Sequence, residues 1–113
     1  MSARDNAWSY ERAAFTMKLH PGKEAEYKRR HDELWPELAK ELADAGVMDY
    51  SIFLDRATNT LFAFQRKAPG NTADGLAAKA IVRRWWDYMA DIMDVNADNS
   101  PVVGGLVELF HLD

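Results

Sequence analysis

The succession of two hydrophobic periods along the chain constrains its fold most. Apolar residues alternate over 13–20, follow a helical stripe over 23–45, alternate over 49–54 and 60–65, return to a stripe over 76–93 and alternate over 106–112. Alternation is typical of a strand and a 3.6-residue period of a helix. The predicted order is therefore β-α-β-β-α-β, a ferredoxin-like α+β arrangement with helices on one face of an antiparallel sheet.

Proline and glycine divide the first helical stripe. Pro36 lies inside it, and a proline costs about 3 kcal/mol within a helix but is well accommodated in a first turn. We therefore predict a break at Leu34–Trp35 and a second helix that begins near Pro36. Gly46 is the expected end of that second helix, because glycine readily adopts the left-handed conformation that terminates helices.

The length of 113 residues suits one domain. Residues 1–12 are polar and mixed, so we expect a flexible extension there and a single domain over 13–113. The absence of cysteine excludes disulfides and thiolate chemistry. In a sheet with helices on one face, the other face exposes apolar side chains, and a homodimer is the simplest way to cover it.

Charge and hydropathy exclude several partners. The net charge of −4 argues against nucleic-acid binding, because phosphate contacts require a basic surface. No apolar run approaches the roughly 20 residues of a membrane span, and the first residues lack the apolar core of a secretory signal. We therefore expect a cytoplasmic protein without membrane or nucleic-acid partners.

The first helical stripe carries three side chains suited to binding a polar ligand. Tyr27, His31 and Trp35 recur at intervals of four residues, which places them on one side of a helix. They offer hydrogen bonding, proton transfer and a flat apolar wall. Packing of three large side chains in a core explains the same spacing. The neighbouring Arg29-Arg30 pair is expected on a solvated face.

Two further aromatic features are open to the same two interpretations. Trp85 and Trp86 are adjacent, and adjacent helical positions diverge by about 100°, so one of them is expected to line a cleft while the other packs. Tyr50 begins a strand from which it can reach the same face. The loop 94–101 has acidic and amide residues, but its spacing does not match a calcium-binding loop, and we predict no metal site.

Several short motifs together resemble the L-rhamnose mutarotase family. They are Tyr27-Lys-Arg-Arg-His31, Leu34-Trp-Pro-Glu-Leu38, Asp49-Tyr-Ser-Ile52, Arg84-Trp-Trp86, Tyr88-Met89, Asp91-Ile-Met93 and Asp98-Asn-Ser-Pro101. Each motif is weak alone, but their order and spacing match the family over nearly everything from Ala14 to Leu112. The resemblance implies a dimeric α+β barrel of ferredoxin-like subunits that interconverts the α and β anomers of L-rhamnose without a cofactor.

The resemblance also implies roles for particular residues. The general acid/base of the family falls on His31, its substrate-contacting tyrosines on Tyr27 and Tyr50, and its paired tryptophans on Trp85 and Trp86. Residues 66–79 are richer in glycine, alanine and proline than the corresponding family segment, which is an acidic helix.

Imidazole suits the reaction that the resemblance implies. Mutarotation opens a hemiacetal ring and closes it on the other face, and a histidine has both of its protonation states available near neutral pH. Two other classes of protein use the same fold: a cofactor-free dimeric α+β barrel oxygenase and a sugar-binding protein without catalysis. The residues do not distinguish L-rhamnose from L-fucose, L-mannose or L-lyxose.

Overall fold

A four-stranded antiparallel sheet forms one layer of the fold. The computed structural model describes residues 10–113. The strands are β1 (Glu11–Lys18), β2 (Val47–Asp55), β3 (Thr60–Lys67) and the short β4 (Gly104–Gly105), in the spatial order β2-β3-β1-β4. All three pairings are antiparallel. The order of helices and strands confirms the predicted ferredoxin-like α+β class.

Three α-helices form the second layer. They are α1 (Glu24–Asp32), α2 (Pro36–Asp44) and α3 (Ala80–Met89), and a 3-10 helix (Ala73–Ala78) precedes α3. Pro36 is the first residue of α2, which confirms the predicted break and the second helix after it. In α1, acidic residues occupy the first turn and basic residues the last, which complements the helix dipole.

Gly46 ends the α2 segment as predicted. Its φ of +87° lies in the left-handed region, and an added Cβ would sit 3.0 Å from the Cβ of Asn71. The carbonyl of Gly46 accepts a hydrogen bond from the Ala68 amide at 2.8 Å. Only glycine satisfies both the backbone conformation and the close approach of the 68–71 turn.

The core lies between the sheet and the helices. Alternation in β1 and β3, continued by Leu19 just after β1, points Met17, Leu19, Leu61 and Ala63 toward the helix layer. The residues of the buried cluster are Met17, Leu19, Tyr27, Leu61, Ala63, Met89, Ile92 and Met93. Tyr27 belongs to this cluster, so the packing role that its spacing allowed is real.

The other face of the sheet is open, as predicted for a single chain. Phe53 and Phe62 are directly opposite each other in the β2–β3 ladder. They alternate with the buried residues of those strands and are 69% and 40% exposed. Two adjacent exposed phenylalanines on a sheet face are typical of a surface that a partner covers.

Element boundaries differ from the predicted ones at two places. β1 begins at Glu11, inside the segment 1–12 that was expected to be a flexible extension, and residues 1–9 lie outside the described residues. The helix predicted over 76–93 begins at Ala80 and ends at Met89. Lys79 has an extended backbone (φ −78°, ψ 133°), which separates the 3-10 helix from α3.

The prediction of a final strand over 106–112 was wrong. Among the described residues after Pro101, Gly104 and Gly105 are the two that pair with β1. The Leu106 amide still donates to the Ala14 carbonyl at 3.1 Å, but no ladder follows. The Glu108 carboxylate pairs with Arg12 of β1 at 2.7 Å, but the apolar side chains from Val107 onward are exposed, Leu109 by 93%. The apolar residues of this segment do alternate as in a strand, but a strand also needs a neighbouring strand to pair with, and alternation does not reveal whether one is present.

Each helix within residues 10–113 is too short or too polar to traverse a lipid bilayer.

Candidate active site

A cavity of about 960 Å³ opens between the helices and the sheet, and it brings all five predicted site residues together. Tyr27 and His31 reach it from α1, Tyr50 from β2, and Trp85 and Trp86 from α3. The sequence separates these residues by up to 59 positions, so the packing of α1 and α3 on the sheet creates the site.

His31 is held in one tautomer by the backbone of its own helix. Its Nδ1 lies 2.9 Å from the carbonyl oxygen of Tyr27. A carbonyl oxygen can only accept, so Nδ1 carries the proton in this bond. Within residues 10–113 no hydrogen bond engages Nε2. The neutral imidazole therefore has its lone pair on Nε2, available to a molecule in the cavity.

Aromatic rings enclose the imidazole on two sides. The Tyr27 ring stacks on His31 at 4.3 Å between centroids, and the Trp85 ring meets it edge-on at 5.4 Å. Burial among these rings lowers the pKa of His31, and the hydrogen bond to the Tyr27 carbonyl opposes that effect to a lesser extent. A lowered pKa leaves His31 neutral, and so a proton acceptor, at neutral pH.

The two tyrosines retain their protons. Burial raises the pKa of Tyr27 above its ordinary value, and the nearby phenol of Tyr50 contributes to that rise. Although 40% of the Tyr50 surface is exposed, burial of its phenol group raises the pKa of Tyr50 to about 12. Both hydroxyls are therefore neutral at physiological pH and can donate hydrogen bonds to a ligand.

A β-bulge directs Tyr50 into the cavity. The register of β2 against β3 shifts between Met48 and Ser51, and Asp49 has a φ of +50°. The extra residue changes which side chains face the helices, so Val47 before the bulge and Tyr50 after it both point to that side. Alternation alone would not have placed both residues on one face.

The tryptophans line the cavity in different surroundings. Both contribute to its wall, whereas the sequence predicted one in the wall and one in packing. Trp85 does both, because it also meets Trp35 edge-on at 5.1 Å and Tyr88 at 5.6 Å. Trp35 does not line the cavity and packs behind Trp85, so the spacing of four that it shares with Tyr27 and His31 does not extend the site.

The remaining wall has an apolar side and a charged rim. Leu19, Leu61 and Met89 contribute apolar surface from the sheet and α3. Charged residues of α1 and of the β2–β3 hairpin form the rim, where Arg56 Nη2 pairs with Glu24 at 2.8 Å. Such a cavity suits a small ligand that presents apolar C–H faces together with hydroxyl groups.

One buried charged residue contradicts the sequence analysis. Arg30 was expected with Arg29 on a solvated face, but it is only 8% exposed. It reaches α3, where its Nη1 donates to the Tyr88 carbonyl at 2.6 Å and pairs with Asp91 at 2.8 Å. The signal that could have revealed it is the spacing of three residues from Tyr27, which places both on neighbouring parts of the α1 surface.

No group of three or more histidine, aspartate or glutamate side chains within residues 10–113 is arranged to hold a metal ion. Asp94, which the sequence analysis considered in a calcium loop, instead lies 3.1 Å from His20 Nε2.

The chain matches known proteins over nearly its whole length. The sequence profile of a family described as L-rhamnose mutarotase matches residues 12–112. A protein of Formosa agariphila with the name L-rhamnose mutarotase is 55% identical over 91% of this chain and 99% of its own length. A protein of the same name from Bacteroides thetaiotaomicron is 54% identical over the same shares.

The chain belongs to the L-rhamnose mutarotase family. The crystal structure of the L-rhamnose mutarotase FA22100 from Formosa agariphila superposes on this fold with a TM-score of 0.86, covering 91% of this chain and 99% of that chain. Membership confirms the family resemblance and the class of activity, a carbohydrate isomerase that interconverts anomers. It favours this activity over the oxygenase and the non-catalytic sugar-binding protein that the same fold allows.

Proposed function

We propose that His31 carries the proton in the interconversion of L-rhamnose anomers by this mutarotase. The observation that carries the proposal is the fixed tautomer of His31, whose Nδ1 is bound to the Tyr27 carbonyl at 2.9 Å. That bond leaves Nε2 as a basic nitrogen inside the cavity. The lowered pKa of His31 keeps this nitrogen unprotonated before the sugar binds.

The reaction needs one proton removed and one supplied. His31 Nε2 takes the proton from the hydroxyl on C1 and, as the bond between C1 and the ring oxygen breaks, delivers that same proton to the ring oxygen. The product is the open aldehyde. Rotation about the C1–C2 bond presents the other face of the carbonyl, and the reverse steps then close the ring with every proton returned.

The tyrosines hold the sugar during this exchange. Tyr27 and Tyr50 keep their phenol protons, because burial raises both pKa values. Neutral phenols donate hydrogen bonds to the ring oxygen or to sugar hydroxyls without taking the proton that His31 carries. Donors aimed at the atom where charge develops contribute strongly to such reactions.

The tryptophan wall provides the apolar contact. The indole rings of Trp85 and Trp86 match the C–H face of a sugar ring and the methyl group of a 6-deoxy sugar. L-Mannose differs from L-rhamnose only by a hydroxyl on C6, so we expect it to exchange more slowly. A buried hydroxyl without a partner costs on the order of 1–3 kcal/mol.

Saturation transfer between the two anomeric proton signals of L-rhamnose tests the proposal. We expect fast exchange with the wild-type protein, and exchange about 10²–10⁴-fold slower with His31→Ala. His20→Ala is the matched control, since His20 is exposed and contacts Asp94 rather than the cavity. Exchange in His31→Ala at the wild-type rate would refute the role of His31, and no exchange in wild type would refute the function.

We also propose that two copies form the dimeric α+β barrel that the sequence analysis expected. The support is the open sheet face with Phe53 and Phe62, together with the uncovered C-terminal segment 106–113. A second copy of the chain provides a complementary apolar surface for both. A cytoplasmic location and the absence of nucleic-acid and membrane partners stay predictions.

A further inference from the structure

Arg30 is buried next to the proposed proton carrier, whereas its neighbour Arg29 is not. The side chain of Arg29 is 52% exposed and pairs with Glu26 and Glu33 on its own helix. Arg30 is 8% exposed. A guanidinium is retained in such a position only when partners satisfy its charge and its hydrogen bonds.

The partners of Arg30 lie on its own helix, where its Nε donates to the Glu26 carboxylate at 2.7 Å, and around the C-terminal end of α3. Its Nη1 donates to the Tyr88 carbonyl at 2.6 Å, and its two terminal nitrogens pair with the Asp91 carboxylate at 2.8 and 3.2 Å. The guanidinium carbon also lies 4.4 Å from the centre of the Tyr88 ring. A cation at this position satisfies one of the terminal carbonyls of α3 and complements its dipole.

These contacts join the two helices that carry opposite parts of the site. α1 bears Arg30 and His31 in succession, and α3 bears Trp85 one turn before Tyr88. Tyr88 stacks on Trp35 at 5.4 Å, and Trp35 meets Trp85 at 5.1 Å. The Arg30 contacts therefore fix the spacing at which the imidazole of His31 meets the indole of Trp85.

We infer that Arg30, through Asp91 and Tyr88, is the positioning residue that sets His31 against the tryptophan wall. The inference rests on the proposed role of His31. Arg30 does not line the cavity and touches no reacting atom, so it acts only through the placement of α1. Proton transfer depends steeply on placement, because a displacement of about 1 Å lowers rates on the order of 100-fold.

Arg30→Lys is the variant that tests this role. Lysine keeps the positive charge but lacks the planar fork that binds a carboxylate and a carbonyl together while stacking on a ring. Arg83→Lys is the matched control, the same substitution at an exposed position of α3 that does not line the cavity. Asp91→Asn weakens the same contact from the turn after α3 and leaves α1 unchanged, so it supplies the test if Arg30→Lys does not fold.

We expect at least about a tenfold lower kcat for Arg30→Lys in anomer exchange at saturating L-rhamnose. Arg83→Lys should stay within about twofold of wild type, because Arg83 is exposed and does not line the cavity. Looser packing around His31 should also move the acid midpoint of the kcat/KM profile upward, toward the ordinary histidine value of 6.5. Asp91→Asn should change kcat and the midpoint in the same directions.

The acid midpoint of the kcat/KM profile separates the placement of the His31 imidazole from a change of charge in the cavity. The titratable groups that line the cavity with His31, besides Tyr27 and Tyr50, are Glu24, Lys28, Asp32, Asp55 and Arg56. None of them is altered in Arg30→Lys, and the charge at position 30 is kept. A moved midpoint therefore reports a changed environment of the imidazole.

Two results would overturn the inference. One is a folded Arg30→Lys protein with the wild-type kcat and acid midpoint. The other is a loss of activity that only follows the loss of folded protein, measured by circular dichroism, with the midpoint unchanged. The role of His31 is judged separately: if exchange is slowed in His31→Ala while Arg30→Lys matches wild type, only the positioning role of Arg30 falls.

Discussion

At the scale of single residues, the proposed mechanism depends on one imidazole whose protonation is set by its surroundings. The Tyr27 carbonyl fixes the proton on Nδ1 at a distance of 2.9 Å, and stacked rings lower the affinity of Nε2 for a proton. The reaction needs a group that accepts a proton and returns it. A histidine with a lowered pKa performs that role at neutral pH without help from another charge.

The pH dependence of kcat/KM follows from this assignment. Protonation of Nε2 removes the proton acceptor, so activity should be constant at neutral pH and should fall as the pH decreases. Because burial lowers the pKa of His31, the midpoint of the fall should lie below 6.5. Saturation transfer at a series of pH values, corrected for uncatalysed exchange, measures it. A midpoint above 6.5 would contradict the buried, neutral imidazole.

Removing the Tyr50 hydroxyl should weaken catalysis moderately. Tyr50→Phe keeps the ring but loses a donor to the sugar, and one such hydrogen bond contributes about 0.5–1.5 kcal/mol, or roughly two- to tenfold in kcat/KM. Tyr10→Phe is the control, since Tyr10 does not line the cavity. Equal rates for Tyr50→Phe and wild type would show that this hydroxyl does not contact the sugar in the reaction.

At the scale of secondary structure, the sequence predicted what local chemistry determines. Pro36 and Gly46 mark the start of α2 and the end of its segment, because each has a conformational requirement that other residues do not meet. The period of the apolar residues identified β1, β2 and β3. These features need no knowledge of the rest of the fold.

Other features depend on distant contacts and could not be predicted. The burial of Arg30 depends on Asp91, which lies 61 positions away in the turn after α3. The shared orientation of Val47 and Tyr50 depends on a bulge that exists only when β2 pairs with β3. The functional roles of the five predicted site residues came from the family resemblance, because the spacing of Tyr27 and His31 fits core packing equally well.

Gly46→Ala should lower the free energy of unfolding. A left-handed conformation costs a non-glycine residue about 1–2 kcal/mol, and the contact with Asn71 at 3.0 Å adds crowding. Urea denaturation measures the change. Gly75→Ala is the control, because no atom lies within 4 Å of a Cβ there. Equal stabilities of the two variants would contradict the assigned role of Gly46.

At the scale of the whole molecule, apolar surface is covered on one side of the sheet and exposed on the other. One face of the sheet is covered by helices, whereas the other exposes Phe53 and Phe62, and the last residues expose Leu109 and Phe110. Apolar surface of this kind lowers its free energy by burial, at about 25 cal/mol for each Å² removed from water. The predicted homodimer follows from that excess of apolar surface.

Phe62→Asp should disrupt the proposed dimer. Phe62 lies on the open face and does not line the cavity, so a charge there opposes burial against a second copy. Sedimentation analysis should give a dimer for wild type and a smaller species for Phe62→Asp. Lys40→Gln, on exposed α2 surface, should sediment like wild type. A monomeric wild-type protein would contradict the proposed assembly.

The central claim is that His31 carries the proton, and the anomer exchange rate of His31→Ala at saturating L-rhamnose tests it most directly. Positioned proton transfer contributes about 10²–10⁴-fold in rate. We predict a loss of kcat in that range, while the dissociation constant for the sugar stays within about threefold, because the tyrosines and tryptophans still bind it. A folded His31→Ala protein that exchanges L-rhamnose anomers as fast as wild type would contradict the claim.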